Sequence, residues 1–218
     1  MKLKLPYEIK PYVVSQPWGN IPIDPKTGKS IYAQFGFTRH NGVDILPGIG
    51  KEVRAPFDYE VVWTLWMPNG GGNVLGILSR QEYDGPDGKP AYVLLDFLHL
   101  ERFAQFPGGN GYKGLAGDLV AITDNTGFST GPHTHIQYRW VRKDPKAVNG
   151  LRDVQKNDAH DSFDPEPYRD GTFAKDIKQP LPPNTTVDFE AALALLRQAN
   201  SGKTLADAEA VLRKKYGR

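Results

Sequence analysis

The sequence predicts a mainly β protein, with an antiparallel β-sheet core and a small C-terminal helical hairpin. Short runs rich in Val, Ile, Tyr, Phe and Trp, each of strand length, recur through the first two thirds of the chain. The 23 glycines and 18 prolines punctuate these runs, and alanine and leucine fall at helical spacing only near the end, over 187–200 and 204–215. Strands are expected at 59–66, 73–80, 91–98, 119–123 and 135–141. Between them, Asn69-Gly70-Gly71-Gly72 and Asp84-Gly85-Pro86-Asp87-Gly88 supply the positive φ and fixed entry angle of antiparallel hairpins. From Asp164 onward Pro165, Pro167, Pro180, Pro182 and Pro183 can continue neither a ladder nor a helix interior, which reads as a linker. The two helical segments then flank Ser201-Gly202, with Thr186 and Thr204 as N-caps and Arg213, Lys214 and Lys215 suited to the last-turn dipole. The expected organisation is a main domain over 1–170, a proline-rich linker over 171–186 and a helical appendage over 187–218.

A chain of 218 residues with 39% hydrophobic content buries one proper core and a small appendage. Its 27 basic and 25 acidic residues nearly cancel, so the overall field argues against nucleic acid as partner. Cysteine is absent, which excludes thiolate zinc sites, disulfide staples and a cysteine nucleophile. Pro6, Glu8 and Pro11 interrupt the start before an apolar run of signal-peptide length forms, and no stretch approaches the roughly 20 apolar residues of a membrane span. The expectation is a soluble protein with no secretion signal.

Four of the five histidines fall in three short segments, two of which pair them with an aspartate or with each other: His40-Asn41-Gly42-Val43-Asp44, His99-Leu100 and His133-Thr134-His135. Imidazole and carboxylate are good zinc ligands, and a catalytic site uses three of them with one position open. On a strand, His133 and His135 leave the same face and share one environment. Gly42 and the β-branched Val43 give the segment between His40 and Asp44 an extended or bulged path on which the two converge. His160, beside Asp158, Asp161 and Asp164, reads as a solvated loop histidine and stays unassigned.

The series of segments from Val14-Ser15-Gln16-Pro17-Trp18-Gly19 to Asp164-Pro165-Glu166-Pro167-Tyr168 resembles the lysostaphin-type (LytM-like) zinc metalloendopeptidases. The motifs that carry it are His40-Asn41-Gly42-Val43-Asp44-Ile45, Val53-Arg54-Ala55-Pro56, His99-Leu100 and the run from Asn125-Thr126-Gly127 to His133-Thr134-His135. The resemblance implies an antiparallel sheet of the LytM type, one zinc ion per chain held by His40, Asp44 and His135, and His99 and His133 as catalytic residues beside the open position. It implies the peptide of bacterial peptidoglycan as substrate and action at the cell wall, and with no export signal visible the expected route there is phage-lysin-like release or a leader since removed. The division of labour between His99 and His133 stays open. Thr134 and Gln137 depart from the apolar and acidic residues common at those positions, and 82–90 and 101–112 read as groove walls.

Gly127-Phe128-Ser129-Thr130-Gly131 matches a nucleophile elbow, but β-prone sequence follows where a helix is required. Gly109-Asn110-Gly111-Tyr112-Lys113-Gly114 matches a dinucleotide fingerprint without its strand and helix. The remaining rival is a non-catalytic wall-binding or hydrolase-activating module of the same fold. Trp63, Trp66, Phe97 and Trp140 are expected in the core.

Overall fold

The computed structural model describes residues 1–177. Its elements are β1 (Leu5–Tyr7), β2 (Val14–Gln16), a 3-10 helix (Ile31–Phe35), β3 (Val43–Ile45), β4 (Glu52–Arg54), β5 (Tyr59–Met67), β6 (Gly72–Ser79) and β7 (Tyr83–Asp84). There follow β8 (Pro90–Phe103), β9 (Lys113–Gly114), β10 (Leu119–Thr123), β11 (Thr134–Lys143), β12 (Leu151–Asp153) and β13 (Arg169–Phe173). The main sheet runs in the order β2-β3-β11-β8-β6-β5-β9, and every pairing in it is antiparallel. β10 joins it through β4 and β8.

Alternation decides which residues go inside. Val93, Leu95 and Phe97 of β8 and Ile136, Tyr138 and Trp140 of β11 bury one face in the principal core. The residues between them, Asp96 on β8 and His135, Gln137 and Arg139 on β11, occupy the other face. That opposite face carries the polar chemistry.

All five expected strands are present, and β10 has the expected bounds. Strand β8 is longer than the expected 91–98 because it passes through an irregularity at His99 and continues to Phe103. Two steps on β6, Asn73 to Leu75, face three on β8, Leu100 to Phe97, so one residue of β8 is extra. The β5–β6 turn needs Gly72: its φ is 65°, and a Cβ there would stand 2.3 Å from Thr126 Oγ1.

Three expectations are corrected. The stretch after Asp164, read as a linker, carries β13, which pairs in parallel with β1 as a separate two-stranded sheet. Trp66 is 60% exposed rather than core, whereas Phe97 and Trp140 are buried and Trp63 packs on the smaller cluster of the opposite face. The 82–90 hairpin stands at the start of β8, nine residues from His99 and so roughly 30 Å along the strand, too far to wall the histidine cluster. The 101–112 stretch continues β8 and then folds back, Gly111 N–H donating to Val61 C=O at 2.7 Å, with Phe106 and Tyr112 packed against the core. Regular structure extends past residue 170, to the end of β13 and a 3-10 helix Ala174–Asp176. The rest of the proline-rich linker and the helical hairpin over 187–218 lie outside the described residues.

Candidate metal centre

Strand register builds the first half of the site. β11 pairs with β3 so that His135 stands directly opposite Asp44, and His135 Nδ1 lies 2.9 Å from Asp44 Oδ1. Gly42 is required beside them, because a Cβ there would lie 2.4 Å from Ile136 O and 2.6 Å from His135 Nε2.

His40 arrives from the loop before β3. Its backbone exchanges hydrogen bonds with the Pro17–Asn20 turn: Gly19 N–H to His40 O and His40 N–H to Asn20 O, both 2.8 Å. Its Nδ1–H donates to Pro17 C=O at 3.0 Å, so in the neutral ring Nε2 carries the lone pair. That Nε2 lies 3.0 Å from His135 Nδ1 and 3.1 Å from Asp44 Oδ1. Three potential donors thus converge on one point, all within 4.8 Å of one another.

The other two histidines stand next to this trio and are oriented in the same way. His99 sits at the β8 irregularity with φ 63°, its N–H donating to Gly71 C=O at 2.7 Å. Its Nδ1–H donates to Thr126 C=O at 2.8 Å, leaving Nε2 bare. His133 Nδ1–H donates to Gly131 C=O at 2.9 Å, with Ser129 Oγ at 3.2 Å, and its Nε2 lies 3.7 Å from Asp44 Oδ1. The rings of His99 and His133 are 4.6 Å apart.

Burial pushes the Asp44 carboxyl up, but hydrogen bonds and charge from His135 and His40 outweigh it and hold the group well below the usual carboxylate range. Burial pushes the His135 imidazole down, against the pull of Asp44. Burial likewise lowers His99, to about 4, so its ring is neutral at pH 7.

All five site residues expected from sequence therefore meet, and His160 lies in a loop beside Gln137 rather than in the trio. Pro17, Thr126 and Gly131 lie in segments that carry the resemblance, but their orienting role is not legible in the sequence, because each acts through its backbone carbonyl. Tyr32 was also missed. Its ring stacks on His40 at 5.4 Å and its hydroxyl is bonded by Gln16, while burial and the Asp44 carboxylate push its phenol up. The elbow-like 127–131 stretch precedes strand β11, not a helix, and the 109–114 stretch is a turn that ends in β9.

No family model matches the sequence. The glycyl-glycine endopeptidase ALE-1 of Staphylococcus capitis is 35% identical over 98 residues, covering 45% of this chain and 24% of that protein. Lysostaphin of Staphylococcus simulans is 33% identical over 98 residues, 45% of this chain and 17% of that protein. The chain thus spans about a quarter or less of the length of the curated relatives it matches. Among solved structures, the catalytic domain of lysostaphin from Staphylococcus simulans aligns with a TM-score of 0.48 at 24% identity, covering 72% of this chain and 91% of that one. By sequence this chain is thus similar to a glycyl-glycine endopeptidase and to lysostaphin.

Proposed function

We propose that this chain is a zinc-dependent endopeptidase that hydrolyses peptide bonds of bacterial peptidoglycan. The observation that carries the reading is the convergence of His40 Nε2, Asp44 Oδ1 and His135 Nδ1, separated by 2.9 to 3.1 Å. Donors about 2.0–2.2 Å from a tetrahedral zinc stand roughly 3.3 Å apart, so the trio fits that ion with little adjustment. Two imidazoles and one carboxylate also match zinc chemistry, and a fourth position remains for water or substrate. The sequence relatives support the same reading: the Staphylococcus capitis protein is a glycyl-glycine endopeptidase.

Zinc, when bound, supplies Lewis-acid polarisation of a carbonyl and acidifies a water. The chain's own residues supply the proton chemistry. His99 and His133 both present a bare Nε2, since each donates its Nδ1–H to a carbonyl. His133 is the more exposed of the two and the more open to solvent and a leaving group, and it takes the proton of the attacking water and hands it to the leaving amine. His99, buried and neutral, accepts a hydrogen bond at Nε2 from the water or the substrate N–H and orients it.

Hydrolysis of purified peptidoglycan, with chelator and with zinc restored, tests the proposal when products are read by mass. New amino termini that vanish with chelator and return with zinc are expected. Bound zinc without cleavage of any wall type would hand the reading to a wall-binding module.

A further inference from the structure

His160 and Gln137 lie outside the five site residues, yet they continue the same face. Gln137 follows His135 by two on β11, so its side chain leaves the sheet on the same side about 7 Å away. It is buried, and its Nε2 lies 3.2 Å from both His160 C=O and His160 Nδ1. A carbonyl can only accept, so the amide nitrogen must point there. Its second N–H then goes to Nδ1, which must be the acceptor in the neutral ring. The proton of His160 is thereby fixed on Nε2, and the ring, exposed and tilted against Phe37 at 5.8 Å, presents a donor to solvent.

The chain holds this histidine at some cost. His160 and Asp161 are consecutive non-glycine residues in the left-handed region, with φ 53° and 61°. The loop is pinned from several sides. Asp161 accepts from Asn157 N–H at 3.0 Å, Asn157 Nδ2 donates to Ser162 C=O at 2.7 Å, Trp18 Nε1–H donates to Ser162 Oγ at 2.9 Å, and Asp158 pairs with Arg39 at 2.7 Å. Ser162 also bridges to Arg139 of β11, fixing the loop against the strand.

We propose that His160 is a substrate-binding residue whose Nε2–H donates to a backbone carbonyl of the bound peptide, at a residue away from the bond that is cut. Gln137 is the positioning residue that sets its tautomer. The inference rests on the endopeptidase reading above and adds a recognition contact to it.

His160→Asn tests it, since asparagine tolerates the left-handed backbone but its shorter amide falls short of the Nε2 position. Steady-state kinetics would be run on a length series of wall peptides, with zinc content and thermal midpoint measured on the same samples to show an intact fold. On the longest peptide KM should rise roughly 3- to 10-fold, the worth of one hydrogen bond, with kcat within about two-fold. On the shortest peptide that the wild type cuts, KM should match wild type. Gln137→Met, close in volume, should give a smaller rise of the same pattern. An unmoved KM on the long peptide, or an equal rise on the short one, overturns the inference while leaving the endopeptidase reading intact. A wild type that cuts no wall peptide removes both.

Discussion

At the scale of single residues, the two histidines of the His133-Thr134-His135 motif stand in different surroundings. His135 is opposite Asp44 and buried within the trio, whereas His133 hangs from Gly131 C=O at its edge. His135→Ala should therefore lose both zinc and activity, while His133→Ala should keep zinc by elemental analysis and lose activity by 100-fold or more, on the order expected for a general base. A metal-free His133→Ala protein would reverse the assignment. His99 carries a separate consequence for stability. Its folded pKa, about 4, lies below the ordinary 6.5, so between those values the unfolded chain binds more protons than the folded one. The stability is present in full above pH 6.5 and is lost as pH falls toward 4, by about 3 kcal/mol at most from this group. Urea titrations of metal-free protein from pH 7 to 4.5 should show a shallower loss in His99→Gln than in wild type, and parallel curves would refute the burial argument.

Among the elements, the parallel pair of β1 and β13 carries a buried ion pair beside it. Arg169 Nη1 lies 2.9 Å from Glu8 Oε1, and both side chains are almost wholly inaccessible. The guanidinium also donates to the hydroxyls of Tyr12 and Tyr138, each at 2.8 Å. Arg169→Leu strands Glu8 as an uncompensated buried charge and should cost about 3–5 kcal/mol in urea unfolding. The double variant with Glu8→Leu removes that charge and should recover part of the loss. A loss in the double variant equal to the single one would mean packing, not charge, holds the two strands. The irregularity in β8 is the second element-level device: the added residue re-aims His99 toward the trio while Leu100 returns to the core.

For the molecule as a whole, the site is made of segments far apart in sequence: His40 and His135 are separated by 95 positions and His99 and Thr126 by 27. A ligand that bridges such segments binds the folded state alone, so zinc should raise the thermal midpoint. At a free concentration about 100 times its dissociation constant the gain is about 2.7 kcal/mol, or roughly 5–10 °C for a chain of this size. Calorimetry with zinc and with chelator measures it, and His135→Ala should abolish the difference. Among the described residues no helix is long and apolar enough to cross a membrane.

Much of the site was legible in the chain because its chemistry is written in side chains. His40 with Asp44 and His133 with His135 stand in short motifs whose spacing lets each pair converge, the resemblance added His99 and joined the motifs into one site, and the β-rich runs with their glycine turns announced all five expected strands. What the sequence could not contain were the partners that act through the backbone and the contacts between distant segments. Pro17, Thr126 and Gly131 offer only carbonyls, which every residue possesses, so only the fold says which carbonyl meets which imidazole. Likewise the distance of the 82–90 hairpin from His99, the exposure of Trp66 and the pairing of Gln137 with His160 follow from strand register and loop path. Side-chain identity and local spacing are properties of the chain itself, whereas register, tautomer and orientation are decided when distant backbone segments satisfy each other's hydrogen bonds.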